Sequence, residues 1–223
     1  MRKFNRKFIR RTIYPGWLYF LGKKLTPLSK KYGMNRGTPV DRYYIGKFLS
    51  EHKNDIRGVC LEIRDNRYGQ EYENRIKKLD VLDIDTDNNN ANLHDDLRSL
   101  NKIPENTYDC IILTQVLQYI DDTASAIKEC RRILKPGGAM LITVPIMSRL
   151  DPKMPEYWRF TPEGLAYIIN PIFGKEKVNV RVYGSVLTGL GFWVGQSAEE
   201  FSIKELDYFD PMFPILVAAR AIK

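Results

Sequence analysis

The sequence predicts an α/β domain built on a doubly wound, mainly parallel sheet of seven strands, the last of them antiparallel. Three observations carry this expectation. Short apolar runs alternate along the chain with segments of helical spacing, the order required when helices cross between parallel strands. The last two apolar runs, VNVRVYG and ILVAARAIK, have no full crossover helix between them, which favours an antiparallel pairing at one edge. The chain has 223 residues, 43% hydrophobic and 28% charged, enough for one domain with a full core.

Residues 1–37 read as a basic, aromatic arm and residues 38–223 as the domain. Residues 1–47 hold 13 Lys or Arg against one acid, Asp41, although the whole chain is only +8; the body is therefore mildly acidic. Within the arm, Tyr14, Trp17, Leu18, Tyr19, Phe20 and Leu21 stand between two basic clusters. This apolar run is about ten residues, too short to span a bilayer, which takes about 20. No small-residue cleavage site follows it, so a secretory leader is not expected. The arm has two readings, a helix packed on its own domain or a segment lying on an anionic membrane surface or acidic partner.

In the domain, Thr38 is expected to cap a helix with Pro39 at its first position, and Val40, Tyr44, Phe48 and Leu49 recur at helical spacing. The first strand follows in GVCLEI, residues 58–63. Leu79, Val81, Leu82 and Ile84 mark a second strand, residues 91–94 a short third, and Cys110 to Leu113 a buried fourth. DDTASAIKECRRILKPGG is the clearest helix: acids and Thr123 start it, Ala126, Ile127, Cys130, Ile133 and Leu134 form one face, and Lys-Pro-Gly-Gly ends it. AMLITVP is the fifth strand, and Thr161 with Pro162 opens a further helix. Residues 186–210 read as a helical insertion in which Ser202 and Glu205 form a capping box, with Trp193 expected in the packed core.

Cys60, Cys110 and Cys130 stand in no metal-ligand spacing and read as reduced core residues of a cytoplasmic protein. No His, Asp or Glu cluster has the spacing of a catalytic metal site, and His52 and His94 read as structural.

The run TYDCIILTQVLQYIDDTASAIKECRRILKPGGAMLITVP, residues 107–145, resembles the fourth strand, following helix and fifth strand of class I S-adenosylmethionine-dependent methyltransferases. Upstream, LEI at 61–63, the acids at 83–85 and DDL at 95–97 fall where that family ends its first three strands. Downstream, YWRFTPEGLAYII is similar to a segment of its sugar- and metabolite-modifying branch. The resemblance covers residues 38–223 and implies a Rossmann-like fold with S-adenosylmethionine as cofactor. The family's first turn reads acid-x-Gly-x-Gly, whereas here Glu62 is followed by Arg64 and Asn66.

Ligands of such sheets sit beyond the carboxyl ends of the strands, where strand order reverses. On that basis the cofactor-binding candidates are Glu62, Arg64, Asn66, Asp85, Asp83, Asp96 and Gln115, with Arg42 and Tyr43 on the preceding helix. Asp85 is the first choice for the ribose hydroxyls and Asp83 the second; Asp96 suits the adenine amino group, and Gln115 the methionine half. Asn66 tolerates left-handed backbone and would keep the turn's shape, and Arg64 could pair with the cofactor carboxylate or fill the site. In the acceptor region, Asp151, Tyr157 and Arg159, near Glu156, are the catalytic candidates: Asp151 to accept a proton, Arg159 to hold an acidic acceptor. The insertion is expected to roof this pocket together with the arm.

The resemblance implies methyl transfer, with O-methylation of a sugar, glycan or secondary-metabolite hydroxyl as the first reading. A catalytically silent domain serving a biosynthetic complex is the alternative, and nucleic-acid methylation a third. Positive charge confined to the arm argues against a nucleic-acid partner.

Overall fold

The computed structural model of the protein describes residues 25–223. The aromatic and basic positions of the arm up to Lys24 lie outside the described residues. The chain folds as two compact units: one runs up to Lys47 and adds 147–149 and 182–216, and the other comprises 48–146, 150–181 and 217–223.

The sheet has seven strands, β1 (Gly58–Ile63), β2 (Ile76–Asp83), β3 (Leu93–His94), β4 (Tyr108–Thr114), β5 (Leu134–Pro145), β6 (Val178–Tyr183) and β7 (Leu216–Ile222), in the order β3-β2-β1-β4-β5-β7-β6. The pairs β1 with β2, β1 with β4, β2 with β3 and β4 with β5 are all parallel. β7 is antiparallel to β5: the Lys223 N–H donates to the Gly138 carbonyl, and the Gly137 N–H donates to the Lys223 carbonyl, so the end of β7 meets the start of β5. Strand order reverses between β1 and β4, which makes the carboxyl ends of these strands the place for a ligand.

The central strands read as continuous apolar runs because both faces are covered: Cys60, Leu61, Ile111, Ile112, Leu113, Leu141 and Ile142 are all fully buried. All three cysteines are buried and free. Helices α1 (Val40–Glu51), α2 (Thr123–Ile133) and α3 (Pro162–Phe173) carry the expected stripes. On α2 the buried residues include Ala126, Ile127, Cys130 and Ile133, and its first turn is closed by Asp122, whose carboxylate accepts the Ser125 N–H at 3.0 Å. Thr161 caps α3 through Gly164 with Pro162 at its first turn.

Four local expectations are corrected. α1 begins at Val40, and Thr38 does not cap it; the Thr38 hydroxyl and N–H both donate to the Glu199 carboxylate at 2.9 Å. β2 ends at Asp83, and Ile84 lies beyond it, 62% exposed. α2 stops at Ile133, because Leu134 already pairs with Tyr108 and Lys-Pro-Gly-Gly runs within β5. A Cβ on Gly138 would lie 2.9 Å from the Lys135 carbonyl oxygen and 3.1 Å from that of Tyr108, so glycine is required by close approach. Trp193 is not core: it is half exposed on α4 (Val186–Val194), while its neighbour Phe192 is buried. Trp193 lies on the outward side with Val186 and Leu190, and Phe192, about 100° round the helix from it, turns inward.

The unit containing α4 and α5 (Ile203–Asp207) has its own polar framework. Arg36 forms a two-armed, buried ion pair with Glu200 at 2.8 Å, and Lys47 and Tyr43 both reach Asp207. The Leu28 N–H donates to the Val194 carbonyl, and Gly33 lies so close to the Gln196 carbonyl that a Cβ there would be 2.5 Å from its oxygen. The capping box of Ser202 with Glu205 is present as expected.

Candidate active site

The turn after β1 is organised by Glu62. Its side chain is buried, and its two oxygens accept the N–H groups of Tyr68 at 3.0 Å and Gly69 at 2.7 Å. A side chain at Gly69 would strike Leu79, its Cβ falling 2.6 Å from Cδ2, so the chain can close over the carboxylate only with glycine there. Burial pushes the Glu62 carboxyl up to about 7, against the two backbone N–H groups that pull it down. Glu62 thus clasps the turn with both of its oxygens.

The missing glycines are replaced differently from expectation. Arg64, not Asn66, adopts the left-handed conformation, with φ 78°. Its N–H donates to the Leu82 carbonyl at 2.8 Å and its carbonyl accepts the Asn88 amide at 2.6 Å, so the backbone is pinned from β2 and from the turn after it. The Arg64 side chain is exposed and does not fill a cleft; among the described residues its guanidinium has no ion-pair partner. Asn66 instead gives its carbonyl to the Gln70 N–H.

Of the two candidate ribose acids, Asp83 is the last residue of β2 and half-buried, whereas Asp85 is exposed in the turn. Asp83 accepts the Asp85 N–H and the Asn88 amide, the same amide that reaches Arg64, which ties the first two strand ends together. The Asp85 carboxylate is used locally, accepting the Asp87 N–H. Asp96 lies just past β3 and pairs with Arg98 at 2.6 Å; that guanidinium, which also reaches Asp121, holds the Asp96 carboxyl below the usual range.

At the end of β4, Gln115 has φ 56° and its N–H donates to the Thr143 carbonyl of β5 at 2.8 Å. The Gln118 amide nitrogen reaches the Gln115 carbonyl at 3.0 Å. Along this edge several polar atoms are buried without a hydrogen-bond partner: Gln115 Nε2, Gln118 Oε1, Thr143 Oγ1, Asp95 Oδ2 and His94 Nδ1. Such atoms are costly unless something else satisfies them. Here they lie near the ends of β3 and of the adjacent pair β4 and β5, with β2 and β1 between the two groups, and His52 Nε2 and Arg131 Nε are further such atoms away from this edge. The sequence does not single out Asp95, Gln118 or Thr143 as site residues; its available signals are the run HDD and a pair of glutamines three residues apart.

The segment after β5 is fastened to the same turn. Tyr157 donates its N–H to the Gln118 carbonyl at 2.8 Å, Trp158 Nε1 reaches the Ile120 carbonyl at 2.8 Å, and the Phe160 N–H returns to the Pro145 carbonyl. Glu156 accepts the Asp151 N–H and pairs with Arg159, both at 2.6 Å. The Asp151 carboxylate accepts the Lys153 N–H, and Tyr157 is half exposed. Arg42 belongs to the other compact unit and lies 3.9 Å from Asp41. Among the described residues, no three or more His, Cys, Asp or Glu gather as a metal site.

Residues 70–142 match the family model described as "Methyltransferase domain". The match begins just after the Glu62 turn, which therefore lies outside it. A protein of Mycolicibacterium smegmatis named "Probable S-adenosylmethionine-dependent methyltransferase" is 29% identical over 108 residues, 47% of this chain and 37% of that protein, so the chain spans little more than a third of its relative. Among solved structures, a SAM-dependent methyltransferase from Archaeoglobus fulgidus superposes with a TM-score of 0.57 at 16% identity, covering 82% of this chain and 94% of that one. The N-methyltransferase NodS from Bradyrhizobium japonicum, solved with S-adenosyl-L-homocysteine, superposes at 0.52 with 15% identity over 83% of this chain and 88% of its own. At these identities the likeness establishes the Rossmann-like methyltransferase fold.

Proposed function

We propose that the chain binds S-adenosylmethionine at the carboxyl ends of β1 to β4 and transfers its methyl group to a hydroxyl of a sugar, glycan or secondary metabolite. The observation that supports this reading is the set of buried polar atoms without protein partners at strand ends on either side of β1 and β2: Asp95 Oδ2 after β3, and Gln115 Nε2, Gln118 Oε1 and Thr143 Oγ1 at β4 and β5. A polar ligand bound there would satisfy such atoms. The match to a methyltransferase domain over residues 70–142 supports the identity of that ligand.

In this reading Asp83 receives the ribose hydroxyls in preference to Asp85, because it closes the strand and is half-buried. Asp96 faces the adenine amino group, and Gln115 with Gln118 faces the methionine half. Arg64 supplies an exposed guanidinium for the cofactor carboxylate, and its backbone strain is held by Leu82 and Asn88. Bound S-adenosylmethionine supplies an electrophilic methyl group. Asp151 accepts the proton of the acceptor hydroxyl, and Tyr157, with its N–H on Gln118, positions the acceptor. Arg159, paired with Glu156, braces the loop and presents its guanidinium to an acidic acceptor.

Calorimetric titration with S-adenosylmethionine and with S-adenosylhomocysteine tests the reading. Saturable binding of both at one site is expected, weakened at least about tenfold by Asp83→Asn through the loss of a charge-assisted pair. Absence of binding to either would move the chain to the silent reading.

A further inference from the structure

The helix α4, VLTGLGFWV, contains no charged residue, and its packing is inverted relative to an ordinary surface helix. Its buried side is made largely of small residues, Thr188, Gly189 and Gly191, with Phe192 and Val194. Its larger residues Val186, Leu187, Leu190 and Trp193 form a stripe at i, i+1, i+4 and i+7, and each is about half exposed, from 46 to 51%. Glycine is forced on the inner side, since a Cβ at Gly191 would fall 2.3 Å from the Phe201 ring. The helix ends are fixed, by a capping box at Ser185 and a left-handed Gly195, so the stripe is held in place. A second stretch, apolar apart from Asp210, adjoins it: the Asp210 N–H donates to the Gly184 carbonyl, which sets the segment Tyr208–Phe213 at the start of the helix, with Met212 81% exposed, and the Asp210 carboxylate accepts the Met212 N–H. Single exposed apolar side chains are ordinary; a rigid stripe continued by a neighbouring loop marks an interaction surface.

We infer that this face docks on an anionic lipid bilayer, with the stripe of α4 entering the headgroup boundary. Charge selects this occupant. Residues 1–31 of the same chain hold ten Lys or Arg and no acid, and Lys30 and Lys31, within the same compact unit as α4, are exposed; Glu199, Glu205 and Asp207 of that unit are exposed too, so the selecting charge is that of the basic segment. An exposed apolar stripe and a basic segment supply the two contributions to surface binding, apolar burial in the headgroup boundary and attraction to anionic lipid. A second copy of the chain would bring an equally basic segment with it and be repelled. No helix among the described residues is long and apolar enough to cross a membrane, so the contact is at the surface.

The test is co-sedimentation of the full chain with vesicles of phosphatidylcholine alone and of phosphatidylcholine mixed with phosphatidylglycerol, without cofactor or acceptor. Binding to the anionic vesicles is expected to be at least about tenfold the tighter and to weaken with added salt. Leu187→Glu with Leu190→Glu should lower it about tenfold or more while leaving circular dichroism, melting temperature and cofactor titration unchanged, since both positions are half exposed. Trp193→Ser provides a second, milder variant should the first fail to fold. Equal affinity for both vesicle types, no binding to either, or undiminished binding by the folded variants would overturn the inference. So would a dimer in solution that these same substitutions dissociate, which would make the face a contact between copies. The readout is independent of methyl transfer, so it stands or falls separately from the activity proposed above.

Discussion

Arg64 shows how a residue of the wrong type can occupy a glycine's place. Its left-handed φ of 78° costs a non-glycine residue about 1–2 kcal/mol, and the surrounding hydrogen bonds to Leu82 and Asn88 hold it there. Arg64→Gly is therefore expected to raise stability in urea by about 1 kcal/mol while weakening S-adenosylmethionine binding about tenfold or more, through loss of the guanidinium. A gain in both would show that the side chain obstructs the site. Glu62 gives a second prediction. Its folded carboxyl titrates at about 7, above the ordinary 4.5, so between those values the folded state binds a proton that the unfolded chain does not. Stability from this group is then greatest below about pH 4.5, declines as pH rises to about 7, and is level above it, a loss on the order of 3 kcal/mol. Glu62→Gln should remove that slope in unfolding titrations and leave one of the Tyr68 and Gly69 N–H groups unpaired.

At the scale of elements, strand and helix ends decide which side chains meet. β2 stops at Asp83 although the apolar pattern runs on through Ile84, because the turn is closed by Asp83 and Asn88 rather than by more pairing. α2 is a locally specified helix: the Asp122 cap and its apolar face are both legible in the sequence. Asp122→Ala should cost about 1 kcal/mol in chemical denaturation, by loss of the cap, with cofactor affinity little changed. α4 is the opposite case. Its composition predicts burial, yet glycines take the inner face and Trp193 is left outside.

For the whole molecule, a ligand that joins the ends of several strands stabilises them together. S-adenosylmethionine at a hundredfold excess over its dissociation constant should add about 2.7 kcal/mol, a melting shift of roughly 5–10 °C for a chain of this size. Differential scanning fluorimetry should show that Asp83→Asn removes more of this shift than Asp85→Asn; the reverse order would return the ribose to the exposed acid. The alternation of strands and helices, the antiparallel last strand, the caps of α2, α3 and α5 and the acids near the strand ends are written in the sequence, since each rests on residues close together in the chain. Tertiary structure alone decided that Asp83 rather than Asp85 ends its strand, that Arg64 rather than Asn66 takes the left-handed turn, that Glu62 clasps Tyr68 and Gly69, and that Trp193 faces outward. Those outcomes depend on packing against residues distant in the chain or on which face of an element is covered, and neither periodicity nor propensity carries that information.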